Sequence, residues 1–294
     1  MPLTSPIVFA LQLSVMLSVV ALGLKVTISD AAFLFRRPHK LLDAMAAMYI
    51  AMPALALTVG MLLDLPSAVR IALVALSISP IPPLLPKRAL KAGGRESYAV
   101  GLLVAGSLLA IVLIPLAIEL FQVLLGVPLQ MSARSVAWLV SISVIAPLAV
   151  GILIRTLSPA LAESAAGPTA TLGAILLAAG MVALLITQGE RLVSTFGPST
   201  FAALGAFSAF GLLIGHLLGG PRFEDRAVLA LYASARHPGV AIAIAQANFP
   251  QERTAVIAIL LALLIGGIVS LPYTIWIKRR QESPLAQREP RANV

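Results

Sequence analysis

Long apolar runs separated by short polar stretches set the pattern of this chain. A helix that crosses a bilayer needs roughly 20 mostly apolar residues. Runs of that length predict nine spans, at about 6–27, 41–63, 67–86, 97–125, 134–157, 168–189, 199–219, 227–249 and 253–277. No basic stretch precedes the first run and no small-residue cleavage site follows it, so it is expected to be a span and not a cleaved signal. Residues 281–294 are expected to form a basic, disordered tail.

Two of the spans are interrupted. The third reads VALSISPIPPLLPKRALKAGG, in which Pro80, Pro82, Pro83 and Pro86 each lack an amide donor and crowd the preceding turn, so a continuous helix is not expected. The eighth, LALYASARHPGVAIAIAQANF, carries Arg236, His237, Pro238 and Gly239 at its middle. Unwound backbone at that depth is tolerated only inside protein or against an aqueous cavity. Paired interruptions in corresponding positions of two halves point to a transporter binding site. Spans 1–4 and 6–9 each place theirs third, and the odd separation of the two predicts broken helices running in opposite directions, as an inverted repeat requires. The expected fold is therefore an all-α integral membrane bundle with two discontinuous helices.

Composition sharpens this picture. With 59% hydrophobic residues, 11% charged and a mean hydropathy of +0.99, the chain carries more apolar surface than a soluble domain hides. The net charge of +9 would suggest nucleic acid as a partner in a soluble protein. Here the basic residues lie in the loops. With the N-terminus outside, sixteen of the 21 lysines and arginines fall on the cytoplasmic side, which predicts N-outside, C-inside topology in a bacterial inner membrane and no nucleic-acid partner. Arg236 alone lies at mid-span. The absence of cysteine excludes disulfides, thiolate catalysis and cysteine-bound metal centres.

The order of several short motifs resembles the bile acid:sodium symporter family. The stretch from Ala21 to Pro80 holds Gly23 near a helix end, then Arg36-Arg37-Pro38, Met52-Pro53, Leu65-Pro66 and Ser79-Pro80 leading into a proline-containing crossover. Span 8, with small residues before Gln246-Ala247-Asn248-Phe249, is similar to the family's second crossover helix. The resemblance implies a core domain and a panel domain, with the discontinuous helices crossing in the core. It also implies where sodium ligands would stand. The first crossover of sodium-coupled members has a Gly-Thr-Ala-Ser-Asn-like run, and here Leu85, Pro86 and Lys87 lie near that place. The second offers Glu, Gln and Asn around its break, and here Tyr232, Arg236 and His237 occupy about those positions. Sodium, like other hard cations, wants several oxygen ligands, which an ammonium and a guanidinium do not supply. No cofactor is expected, sodium coupling is disfavoured, and only backbone carbonyls at the breaks remain as cation ligands.

Arg236 is the sharpest candidate. A mid-span arginine is costly unless it faces a cavity or a partner. It has three readings: a planar fork for a substrate carboxylate, sulfonate or sulfate, a fixed charge standing in for a cation, or a purely structural pair. His237 either hydrogen-bonds the broken backbone or titrates near neutrality and couples transport to pH. Lys87 and Arg88 are membrane-surface anchors or, in an inward-open cavity, attract anions. Ser79, Tyr232, Ser234, Gln246 and Asn248 are further candidates to line a substrate site, each with an interhelical hydrogen bond as its plainer role. Tyr232 precedes Arg236 by four residues and shares its face if the helix continues between them. Gly211, Gly215 and Gly219 form a small-residue stripe suited to close helix packing inside the bundle.

Asp43 and Glu119 lie away from mid-span, so an acidic proton relay is not expected. His39, His216 and His237 are scattered and no HExxH, paired aspartate or phosphate-binding loop occurs, which argues against an intramembrane enzyme or an ATP-driven pump. A membrane anion sensor would be expected to carry a soluble signalling domain. The expected function is a secondary transporter of small organic anions by alternating access, with the bilayer and the substrate as its partners.

Overall fold

A computed structural model describes residues 5–125, 133–194 and 196–282; the expected tail lies outside the described residues from 283 onward. Among the described residues every regular element is helical. The helices are α1 (Ser5–Gly23), α2 (Ile28–Ala31), α3 (Pro38–Ala46), α4 (Met52–Leu62), α5 (Ser67–Ile78), α6 (Leu85–Lys91), α7 (Glu96–Leu125), α8 (Ala133–Val140), α9 (Ala146–Leu157), α10 (Pro159–Ser194), α11 (Pro198–Leu218), α12 (Phe223–Ser234), α13 (Pro238–Asn248) and α14 (Thr254–Glu282).

Seven of the nine expected spans are helices long and apolar enough to cross a membrane, and Gln12–Gly23 and Ser67–Ile78 are shorter apolar helices at the other two places. The lipid-facing side is legible on α7, where Leu108, Val112, Leu116 and Leu120 are exposed at four-residue intervals while Ala110, Ile114 and Ile118 are buried. The sixth span differs from expectation. Its helix begins at Pro159 and not near 168, because Pro159 takes a first-turn position, where its missing amide costs nothing. Pro168, which would be a breaker in isolation, is carried inside that helix.

Two spans are continuous but locally widened. Wide π-turns at Ala47–Ala51 and Ser141–Ile145 join α3 to α4 and α8 to α9, and each immediately precedes a proline-containing first turn, with Pro53 and Pro147 respectively. A proline in mid-helix clashes with the carbonyl four residues back, and one extra residue in the turn relieves that clash.

The broken spans run antiparallel. Ser67 Oγ at the start of α5 donates to Glu252 Oε1 just before α14 at 3.2 Å, while Arg95 before α7 pairs with Glu224 and Asp225 at the start of α12, at 3.8 and 3.4 Å. Each broken span thus begins beside the turn that follows the other. Both α6 and α11 stop at a glycine of positive φ, Gly93 at 81° and Gly220 at 82°. At Gly93 the amides of Gly93 and Gly94 reach back to the carbonyls of Leu90 and Ala89, closing the helix end. Elsewhere, α11 lies almost on the backbone of α12. A Cβ at Gly211 would stand 2.5 Å from Ser234 Cα, and one at Gly219 would stand 2.5 Å from Arg226 Cα.

Two apolar clusters fill the bundle. One gathers Met48, Ile81, Leu85, the 98–105 stretch of α7 and the 227–233 stretch of α12. The other gathers Met52, the 72–78 stretch of α5, Ala110 and Ile114 of α7, Phe207, and Val240 to Ala245 of α13. The chain crosses their boundary at residues 49–51, 79–80, 106–109, 141–143, 208–211 and 234–239. Both helix breaks and both π-turns fall on that seam, and so do the buried polar residues Ser79, Ser107, Ser208, Ser234, Arg236 and His237.

Candidate functional site

The seam is built by backbone that cannot pair with itself. In the first break α5 ends at Ile78, and residues 79–84 run without helix to α6. Pro80, Pro82 and Pro83 lie in this stretch. Pro86 does not: it sits in the first turn of α6, where proline suits a helix start, so the interruption ends at Leu84. In the second break α12 ends at Ser234, residues 235–237 run without helix with Ala235 and His237 extended, and Pro238 opens α13 with Gly239 behind it. His237 caps α13, its Nδ1 accepting the Val240 amide at 3.4 Å. The two breaks touch through main chain, the His237 amide donating to the Pro80 carbonyl at 2.9 Å.

Arg236 sits at this crossing, 3% exposed. Its Nη2 donates to the Met48 carbonyl at 2.6 Å and its Nη1 to the Ser79 carbonyl at 3.4 Å. The guanidinium carbon lies 5.9 Å from the centre of the Tyr49 ring, within cation–π range. Met48 is available for a local reason. In the π-turn the Met52 amide is taken by the Ala47 carbonyl, so the next acceptor, Met48, should receive the amide of residue 53. That residue is Pro53, which has none. One proline thus strands a carbonyl near the middle of the span Pro38–Leu62, and an arginine 188 residues away satisfies it.

The other sequence candidates separate. Ser79 contributes its carbonyl, while its hydroxyl donates to Leu76 O at 2.9 Å. Ser234 is buried in the seam, with its hydroxyl turned to Leu231 O. Tyr232 shares no helix face with Arg236, because α12 ends between them; its hydroxyl donates to Ala99 O of α7 at 2.8 Å. Asn248 Nδ2 donates to Ile244 O at the far end of α13, and Gln246 is exposed. Lys87 is exposed on α6, whereas its neighbour Arg88 reaches Ser270 Oγ of α14 at 2.6 Å. Glu119 is exposed and forms no ion pair with Arg236. The seam also holds residues that sequence reading passed over: Met48, Tyr49 and Ser107. The available signal was Pro53 in the middle of an otherwise regular span.

Three buried side-chain atoms in the seam have no hydrogen-bond partner: Arg236 Nε, His237 Nε2 and Ser107 Oγ. With Nδ1 of His237 accepting from Val240, its proton resides on Nε2. Arg236 Nε and His237 Nε2 are therefore unmatched N–H donors, an arrangement that suits an acceptor-rich, negatively charged ligand.

The family profile described as Sodium Bile acid symporter family matches residues 10–195. The chain belongs to that family. It is an integral membrane protein and a membrane transporter of the bile acid symporter type, in a family of transporters and not of enzymes. Its partners are accordingly a small-molecule substrate and the lipid around it. The first break and the Met48 π-turn lie inside the matched segment, and the Arg236 break lies beyond it. No curated protein matches the chain.

Proposed function

We propose that this family member is a secondary carrier of small organic anions that works by alternating access and does not depend on sodium. The observation that carries this reading is the Arg236 guanidinium among backbone carbonyls of two other elements. Carbonyl oxygens at a helix break are what a bound sodium ion would use. A covalently attached cation already lies on one such oxygen, Ser79 O, and on the Met48 carbonyl of the π-turn, and a second cation beside it would be repelled. The free donors Arg236 Nε and His237 Nε2, with the N-terminus of α13, supply a positive field for a carboxylate, sulfonate or sulfate group.

In this reading spans 1–4 and 6–9 are inverted repeats. The broken helices with α3, α4, α7, α11 and α14 form the core, and the layer in which α1 packs on α9 and α10 forms the panel. Rocking of panel against core would expose the seam to either side in turn. The charge pattern supports a bacterial inner-membrane location with the N-terminus outside.

The test is uptake of a panel of small organic acids into proteoliposomes, with and without a sodium gradient, by the wild type and Arg236→Ala. Uptake equal in sodium and choline, and abolished in a variant that still inserts and folds, is the expected result. Sodium-stimulated uptake would overturn the coupling assignment, and unchanged uptake by the variant would overturn the site.

A further inference from the structure

A pocket of 680 Å³ away from the seam is lined by Ser29, Asp30, Phe33, Arg36, Arg37 and Ser97. It lies where the α1–α3 connection packs on the first turn of α7, at the end of the bundle that also holds Lys40, Arg95 and Arg222. Its walls are held rigidly. Thr27 and Asp30 cap α2 reciprocally, the Asp30 carboxylate accepting the Thr27 amide at 2.9 Å and its hydroxyl at 2.6 Å. Gly101 lets α7 approach this segment closely, since a Cβ there would stand 3.1 Å from Phe33 Cβ and 3.3 Å from Asp30 O. Pro38 keeps Arg37 out of the helical region, at φ −135° and ψ 72°. Its guanidinium then lies 4.0 Å above the Phe33 ring, with Arg95 5.7 Å from the same ring.

The charge in this pocket is unbalanced. Its one carboxylate is turned inward onto Thr27, and neither Arg36 nor Arg37 forms an ion pair among the described residues. Both guanidinia are exposed, with the hydroxyls of Ser29 and Ser97 across the pocket. Ile28 and Phe35, 68% and 50% exposed, flank this basic pocket with apolar surface. Two planar forks beside hydroxyl donors match the oxygens of a phosphate group. Exposed apolar side chains next to them match acyl chains leaving that phosphate.

We propose that this pocket binds the phosphate of an anionic membrane lipid, with Arg36 and Arg37 on the headgroup and Ile28 and Phe35 against the chains. Purified full-length protein, delipidated and then incubated in mixed phosphatidylglycerol and phosphatidylcholine micelles, is examined by native mass spectrometry. Wild type should retain phosphatidylglycerol at least about tenfold over phosphatidylcholine. Arg36→Gln/Arg37→Gln should lose most of that preference, and so should Ser97→Asp, which sets a carboxylate in the pocket while suiting the start of α7. Arg155→Gln, a basic site on another connection, should keep it. Monodispersity and thermal unfolding establish that each variant is folded. Undiminished retention in folded Ser97→Asp and in the double variant would overturn the proposal. Displacement of the lipid by millimolar inorganic phosphate would overturn it too, by assigning the same pocket to a soluble anion.

Discussion

Replacing Arg236 with alanine tests the physical core of the reading. The wild-type guanidinium makes one short charge-assisted bond, to Met48 O at 2.6 Å, and one at the long limit, to Ser79 O at 3.4 Å. The short bond is worth about 1.5–3 kcal/mol, and the stranded carbonyl left behind costs about 1–3 kcal/mol; the two figures overlap, because the bond's measured worth includes the orphaned acceptor. Against this, alanine removes a guanidinium that is 3% exposed and recovers its desolvation. We predict a net loss of about 2–3 kcal/mol. The assay is thermal unfolding in detergent in choline chloride, in sodium chloride, and with millimolar guanidinium added. If the guanidinium takes a cation's place, the variant is less stable in choline and regains stability with guanidinium or sodium, while wild type is indifferent to both. Arg236→Lys, which keeps the charge and loses the fork, should fall between them. A variant as stable as wild type in choline, or a wild type that gains as much from sodium as the variant does, would refute the reasoning.

Three further outcomes follow from the packing and the caps. Gly215→Ala places a Cβ against Ala230 Cα at 2.5 Å, backbone on backbone, and should cost about 1–3 kcal/mol or more, whereas Gly205→Ala, whose nearest contact is Ile265 Cγ2 at 3.9 Å, should stay within about 0.5 kcal/mol in the same unfolding assay. Asp225→Asn leaves Lys40 and Arg95 without their fully buried partner; because the Lys40 side chain is 28% exposed, the expected loss lies near 2–3 kcal/mol, below the range for a fully buried pair, and equal stability would show that the network is energetically idle. His237→Ala removes the cap of α13 and should cost about 1 kcal/mol, which His237→Asn restores; if uptake also needs the Nε2 donor, the asparagine variant will be folded yet impaired, and full uptake by it would discard that donor role.

Seven of the expected spans, the two interruptions and their opposite sense were legible in the chain alone, the start of the sixth span excepted. Run length and proline content act locally, and the even number of spans between the third and the eighth gives their opposite direction by counting. Local reasoning was less accurate about what each proline does. Pro80, Pro82 and Pro83 break a helix, but Pro86, Pro159 and Pro238 begin one, because the same missing amide is harmful in an interior and harmless in a first turn. The expected shared face of Tyr232 and Arg236 failed for a similar reason, as α12 stops at Ser234.

What the sequence by itself determined was that Arg236 would be buried in the membrane and would need partners. Which partners it finds was decided only by tertiary structure. Its strongest acceptor exists because Pro53 cannot donate to a carbonyl in a π-turn, and that carbonyl reaches the second break only when the π-turn between α3 and α4 packs against α12. Apolar run length is a property of consecutive residues, whereas hydrogen-bond satisfaction in a bundle without water is settled between residues far apart in the chain.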